Sequence, residues 1–266
     1  MISQIARAAC IFMVDEVVLI RDHSFKLKDD PYASMETLTR VLQYLETPQY
    51  LRKPLFPITQ ELKYVGLMAP LECFHHLKKD EFCNYREGIT LNRPTKEKDG
   101  SWVDVGLYKQ CKITQKVQGN TRVTVRIKED NYLDPKFQGK FLTGTAVSPL
   151  EPKEIEGKYW GYSVKNAKTF EEVFKVCPNP KNYQIKICVD SKFGVPFESI
   201  KQELGQKFHG QFPGCEKMDS IQVFFSGIGN LDGLIEADEV SRLKLQDALK
   251  EFDYVIKLDF PYGVRI

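Results

Sequence analysis

The 266-residue chain is 42% hydrophobic and 28% charged, which excludes a disordered or fibrous polypeptide and leaves core enough for one large domain or two modest ones. No apolar run approaches the ~20 residues of a membrane-spanning helix, and no secretory leader pattern follows Met1. The net charge of +2 is uninformative as a total, so its distribution along the chain has to be read instead.

The seven cysteines, at 10, 73, 83, 111, 177, 188 and 215, are odd in number and never spaced C-x-x-C. That pattern predicts reduced thiols in an intracellular protein, with neither a zinc site nor a disulfide framework.

Residues 4–14 read as a helix with Ile5, Ala8, Ala9 and Phe12 on one face, and Glu16-Val-Val-Leu-Ile20 as a short strand. Ser34 is a candidate N-cap for a second helix, in which Leu38, Val41, Leu42 and Leu45 recur at i, i+3, i+4 and i+7. Pro48 should end it. The stretch from Gln49 to Pro57 then mixes basic, aromatic and proline residues. It reads either as a helix exit packed on a sheet or as a lip where Arg52 and Lys53 meet an anion. His75 and His76 read as a surface pair on a polar loop.

From Arg86 to Val147 the pattern changes to short alternating segments, such as Thr121-Arg-Val-Thr-Val-Arg-Ile127, separated by Gly, Asn, Asp and Pro. Strands at this spacing predict a small β-barrel or sandwich. The segment carries twelve Lys and Arg against seven Asp and Glu, a surplus of five positive charges, so the rest of the chain is at −3. A basic barrel with exposed aromatics, for which Trp102, Tyr108 and Tyr132 are candidates, suits single-stranded nucleic acid through phosphate attraction and base stacking. An ordinary barrel with a basic surface has the same composition.

Helix and parallel-strand signals return after Pro152. Tyr159-Trp-Gly-Tyr-Ser-Val164 reads as a strand, and Thr169 or a neighbour opens a helix carrying Phe170, Val173 and Phe174. Residues 183–189 form a strand ending in Asp190-Ser-Lys-Phe-Gly194, and Phe197, Ile200 and Leu204 mark a short helix. Ile221-Gln-Val-Phe-Phe225 is apolar enough for a strand buried on both faces. The glycine-rich loop 226–233 follows, then a helix capped by Asp238 and carrying Leu245, Ala248, Leu249 and Phe252, then a strand at 254–258 and a loop at 259–263. Strand, loop, helix, strand, loop is a βαβ unit, whose ligands sit at the carboxyl ends of the strands.

The chemistry of those loops narrows the ligand. Gly227, Gly229 and Gly233 miss the G-x-G-x-x-G spacing by one residue, and no P-loop occurs. No Lys or Arg lies between Ser226 and Glu239, whereas Asp232, Glu236, Asp238, Glu239 and Asp259 cluster near the predicted strand ends. A pyrophosphate would be repelled and a sulfonium tolerated, which favours S-adenosylmethionine over NAD or ATP. A solvated acidic loop after a core strand accounts for the same residues. The α/β signals bracket the barrel, dividing the chain into 1–85, an insert at 86–147, and 148–266.

The Gln4-Ile-Ala-Arg-Ala-Ala start, Val14-Asp-Glu-Val-Val, Leu42-Gln-Tyr-Leu-Glu-Thr-Pro-Gln-Tyr-Leu-Arg-Lys53, Arg86-Glu-Gly, Arg122-Val-Thr-Val-Arg126 and Tyr159-Trp-Gly-Tyr162 together resemble the eukaryotic and archaeal SPOUT-domain RNA methyltransferases with an OB-fold insert. The likeness runs over nearly the whole chain. It implies a parallel α/β sheet with a C-terminal trefoil knot, an exception to the rule against threaded chains, and an OB-like barrel insert. It further implies a homodimer in the nucleus, nucleolus or cytoplasm that methylates RNA, expected to be a uridine of large-subunit ribosomal RNA, with S-adenosylmethionine in the knot loops.

Carried over by position, the cofactor loops fall on 190–194, 225–233 and 258–264, with Asp190, Ser191, Gly194, Phe225, Ser226, Gly227, Gly229, Gly233, Leu258, Asp259, Pro261 and Gly263 as binding residues. RNA contacts are expected from Arg7, Arg52, Lys53, Trp102, Arg122 and Arg126. Neither a metal nor a catalytic side chain is assigned.

Two departures stand out. Ser191-Lys-Phe-Gly194 lacks the arginine of the family's Ser-Glu-Arg-Gly, and the chain stops at Arg265-Ile266 without the closing knot helix. The first strand is also absent before Met1, so the sequence is expected to be clipped at both ends. The alternative function is a non-catalytic RNA-binding scaffold on the same fold.

Overall fold

The computed structural model describes residues 1–21, 35–93, 100–128, 132–134, 139–176, 183–209, 220–227, 230–238 and 243–258. Of the residues singled out above, Ser34, Cys177, Cys215, Gly229, Glu239, Asp259, Pro261, Gly263, Arg265 and Ile266 lie outside them. The chain divides into two compact units, residues 1–17 with 31–164 and residues 18–30 with 165–266.

The first unit opens with α1 (Ile2–Ile11), which buries Ala6 and Ala9. The expected apolar face is corrected, because Ile5 is 37% and Phe12 77% exposed. Small side chains at 6 and 9 let α1 approach α2 (Met35–Glu46) closely, and that contact selects the buried face. Helix α2 buries Val41, Leu42 and Leu45 as its period predicts, together with Thr37 and Glu46. Pro48 ends α2 and also serves as the N-cap of α3 (Gln49–Leu55), a helix the mixed composition concealed.

Five strands then close a barrel: β2 (Tyr85–Thr90), β3 (Trp102–Asp104), β4 (Cys111–Ile113), β5 (Arg122–Ile127) and β6 (Leu142–Val147), in the order β2-β3-β4-β6-β5. β4 and β6 run parallel, and the other described pairs are antiparallel. Closure removes the exposed edges that short strands would otherwise present. Val103, Val105, Cys111, Ile113, Val125, Ile127 and Leu142 fill the interior. Tyr132, expected outside, is only 6% exposed and belongs to that core. Its hydroxyl donates to the Cys83 carbonyl at 2.8 Å, which satisfies the one polar atom burial would otherwise penalise.

After α4 (Glu151–Glu156) the predicted strand at 159–164 is corrected. β7 begins at Ser163 and runs to Ala167, pairing with β1 (Glu16–Ile20) in a two-stranded sheet. The aromatic run signals burial instead of a strand. Tyr159 donates to Val14 O, Trp160 to Glu87 Oε1 and Tyr162 to Leu42 O.

The thiol expectation is corrected as well, since Cys10 and Cys73 form a disulfide across 63 residues of sequence, a pairing no local spacing announces. Cys83, Cys111 and Cys188 are buried thiols outside any disulfide.

The second unit holds α5 (Phe170–Val176), β8 (Tyr183–Val189), β9 (Val195–Pro196), α6 (Phe197–His209), β10 (Ser220–Phe225), α7 (Asn230–Glu236), α8 (Leu245–Leu249) and β11 (Tyr254–Lys257). Its sheet has the order β10-β8-β11-β9, and every described pairing is parallel. Phe170, Phe224, Leu231, Leu234 and Phe252 form the centre of its core.

Two expectations fail here. β10 is an edge strand with Ile221, Val223 and Phe225 between 41% and 58% exposed, so it is not buried on both faces. Asp238 does not cap α8. Its carboxylate accepts the Phe170 N–H at 3.1 Å, at the start of α5.

Candidate functional site

The parallel register brings three strand ends together. Phe225 and Ile256 both pair with Val189, so the segments that follow β10, β8 and β11 leave from the same end of the sheet. Asp190, 1% exposed, organises that end. Its Oδ1 accepts the N–H groups of Lys192 and Phe193, each at 2.8 Å, closing the turn after β8. Its Oδ2 accepts the Leu231 N–H at 2.7 Å and so pins the first turn of α7 to the same carboxylate. The Asp190 N–H donates to Ile256 O at 2.9 Å, tying in β11. One buried acid therefore joins the three connections, which suits the helix N-terminus it faces.

The other predicted residues take distinct places. The Ser191 hydroxyl donates to Asn230 Oδ1 at 2.6 Å. Gly194 is required by close approach, because a Cβ there would lie 2.3 Å from the carbonyl carbon of Ile256. The Ser226 N–H and hydroxyl both donate to Val189 O, at 3.2 and 3.1 Å. Gly227 has φ +74, and a Cβ built on it meets no atom of the described residues within 4 Å. Phe225 is 58% exposed at this end, and Leu258, half-buried, follows β11 there, with β8 between their strands. Gly233 is corrected, since it lies inside α7 and not in a loop.

Charge at this end is partly compensated. Lys192, beside the Phe193 that stands where the resembled family has an arginine, pairs with Asp232, and that hydrogen bond holds the Asp232 carboxyl below the usual carboxylate range. Asn230, at φ +57, and Lys192 are contributors the sequence reading passed over. Asn's tolerance of the left-handed region was the available signal for the first.

Of the residues expected to touch RNA, Arg52 and Arg122 meet at Thr47, donating to its carbonyl and its hydroxyl. Arg7 is exposed on α1, and Lys53 is exposed on α3. Arg52 donates to Thr47 O and Leu45 O and stacks on Tyr44, so it finishes α2 electrostatically. Arg126 pairs with Glu151 at 3.0 Å. Arg122 lies between two buried acids, donating to Glu46 at 2.7 and 3.0 Å and to Glu87 at 2.6 Å.

That pair of acids anchors a wider network. Glu87 also accepts from Thr124 and from Trp160 Nε1 at 2.6 Å, and His75 lies 3.0 Å from Glu46. Burial alone would raise the Glu46 pKa, but the Arg122 guanidinium and the His75 hydrogen bond hold it down at about 2. His75 is completely buried, which corrects its reading as a surface residue. Ligand atoms of Cys73, His75 and His76 lie within 4.8 Å of one another. Cys73 is committed to its disulfide, however, and both ring nitrogens of His76 face the carbonyls of Leu71 and Glu46.

The barrel carries a separate cavity of about 300 Å³ lined by Arg93, Trp102, Tyr108, Lys109, Gln110, Lys140 and Phe141. Trp102 packs edge-on against Phe141 at 5.2 Å, while Tyr108 is 89% exposed.

A family model described as "Putative RNA methyltransferase" matches residues 1–265. The chain belongs to that family. This family member is 32% identical over 275 residues to a mouse protein named 28S rRNA (uridine-N(3))-methyltransferase, covering 99% of this chain and 66% of the mouse protein. It is 38% identical over 195 residues to a human protein of the same name, covering 70% of the chain and 50% of that protein. A Drosophila melanogaster protein, again so named, is 31% identical over 273 residues, 96% of the chain and 52% of that protein. The chain thus spans from half to just under two thirds of the length of these relatives.

Proposed function

We propose that the chain is an S-adenosylmethionine-dependent methyltransferase that modifies N3 of a uridine in large-subunit ribosomal RNA. The observation that carries this reading is the convergence of three parallel strand ends on buried Asp190, in a chain of this family. The donor fits that end. Open space beside Gly227 leaves room for a ligand against the backbone, and the described acids Asp232 and Glu236 tolerate a sulfonium where they would repel a pyrophosphate. Ser191, Ser226, Gly227 and Leu258 would hold it.

When bound, the donor supplies an electrophilic methyl group for in-line displacement. The protein's own work is to hold the uracil ring in near-attack geometry and to let the N3 proton leave as the methyl arrives. In this reading residues 1–85 and 148–266 form the catalytic domain, with a trefoil knot and a homodimer interface. Residues 86–147 are an OB-like insert that tracks RNA, since their strand order suits a five-stranded Greek-key barrel. The protein would act in the nucleolus or cytoplasm.

The test is transfer of a labelled methyl group from S-adenosylmethionine to large-subunit ribosomal RNA, followed by mapping of the modified base. Labelled N3-methyluridine is expected, and its absence with active relatives as controls overturns the assignment. One observation favours the second reading, a non-catalytic RNA scaffold: Phe193 stands where the family's arginine is missing. That reading predicts RNA binding without S-adenosylhomocysteine binding.

A further inference from the structure

We infer that the barrel cavity is a subsite for one unpaired nucleotide of the RNA strand, which stacks its base on Trp102 while its phosphates lie on Arg93, Lys109 and Lys140. The inference rests on the proposed RNA substrate and adds a place where the strand is gripped outside the reacting base. The cavity is lined by four segments. Arg93 follows β2, Trp102 opens β3, Lys109 and Gln110 precede β4, and Lys140 and Phe141 precede β6. Backbone hydrogen bonds fix these segments, with Leu91 N–H donating to Trp102 O at 2.7 Å and Leu142 N–H to Gln110 O at 2.9 Å. The aromatic platform therefore stands on barrel strands and is placed before any ligand arrives.

Among the described residues the lining combines three cations and three aromatic rings with no carboxylate. A phosphate site alone has no use for Trp102, Phe141 and Tyr108, and an apolar ligand has no use for the three cations. A nucleotide needs both, a π-face for the base and positive charge for the backbone. Phe141 braces the Trp102 ring edge-on, and the Lys79 ammonium sits 4.7 Å from the centre of the Tyr108 ring. Gln110 supplies an amide able to meet a base edge in either hydrogen-bonding sense. The volume, about 300 Å³, is at the small end of ligand sites, as a single nucleotide requires. Stacking accepts any base, so the site should hold the strand without reading its sequence.

The test uses the full chain and a short single-stranded RNA. Of the two tryptophans, Trp160 is 7% exposed, so fluorescence quenching on titration reports mainly on Trp102. Quenching is expected with the single strand, with a much weaker effect from an RNA of equal charge carrying abasic sites. Trp102→Ala should weaken binding between roughly fivefold and a hundredfold with an unchanged salt slope, and Trp102→Phe should fall between it and the wild type. Lys109→Gln with Lys140→Gln should instead reduce the salt slope.

Equal affinity for parent and abasic RNA overturns the subsite without any variant having to fold. So does tight binding of polyglutamate that displaces the RNA. If either result appears while the wild type still methylates RNA, only the subsite falls. If the wild type neither binds nor methylates RNA, the functional reading falls with it.

Discussion

The carboxylate of Asp190 accepts the backbone N–H of Leu231 at 2.7 Å, across 41 residues of sequence. Because the same carboxylate closes the turn after β8, the geometry of one strand end is transmitted to the helix that follows another. Asp190→Ala would strand three backbone donors at a buried position. We expect a loss of about 1–3 kcal/mol of stability, measured by urea unfolding. We also expect at least a tenfold loss of S-adenosylhomocysteine affinity by calorimetry. Unchanged affinity in a folded variant would show that this carboxylate does not position the cofactor end.

The start of α5 makes a second testable pair. Thr169 Oγ1 accepts the Glu172 N–H at 3.2 Å, and the Glu172 carboxylate accepts the Lys168 N–H at 2.6 Å, an arrangement close to a capping box. Asp238 adds a third acceptor from far along the chain by taking the Phe170 N–H. Asp238→Ala should cost about 1 kcal/mol, as loss of a helix cap does, and should leave RNA affinity unchanged. A drop in RNA affinity at constant stability would assign Asp238 to the RNA surface instead.

Local pattern was sufficient wherever burial and period agree. The limits of β1 and β8 read from the sequence coincide with the observed Glu16–Ile20 and Tyr183–Val189, because both are short apolar runs bounded by polar residues. The reading failed where a side chain's partner is remote. Glu46 and Arg122 lie 76 residues apart, and nothing near either residue announces their bond. Tyr159, Trp160 and Tyr162 looked like a strand because aromatic burial and strand propensity share a signature. The glycines of 226–233 likewise hid α7, since Gly233 lowers helix propensity without preventing a helix whose Leu231, Leu234 and Ile235 are buried. The strand ends were legible as a ligand end because the βαβ order fixes where they emerge; the Asp190 clasp that joins them was not.

The buried acid Glu46 should make the first unit acid-sensitive. A carboxyl held at about 2 in the folded state, against an ordinary 4.5, stabilises that state fully above pH 4.5 and loses its contribution as pH falls toward 2. Wild-type stability should therefore drop across that window. Glu46→Gln lacks this contribution at every pH and leaves Arg122 with Glu87 as its remaining acid. At neutral pH the substitution should cost about 3 kcal/mol, the lower end for breaking a buried ion pair. The gap between the two proteins should narrow as the pH is lowered through the window. Urea unfolding at several pH values checks this, and a gap that stays constant would mean that Glu46 is not held ionised by Arg122.

Gly227 offers the sharpest test of the cofactor placement. Its φ of +74 is comfortable only for glycine, so any side chain adds backbone strain of roughly 1–2 kcal/mol. Among the described residues no atom within 4 Å of its Cβ position opposes a larger residue. Unfolding reads the strain and ligand affinity reads the occupancy. Gly227→Ala carries strain with little bulk, whereas valine, β-branched and so more strained at positive φ, also projects bulk into the space that a ligand would need. If S-adenosylmethionine lies against this backbone, valine should abolish binding and alanine should weaken it by about tenfold, the equivalent of 1.4 kcal/mol. The valine variant should unfold at a lower urea concentration than the alanine variant, and both should bind single-stranded RNA like the wild type. Calorimetry with S-adenosylhomocysteine reads the difference. Equal affinities for the alanine and valine variants would move the cofactor away from β10.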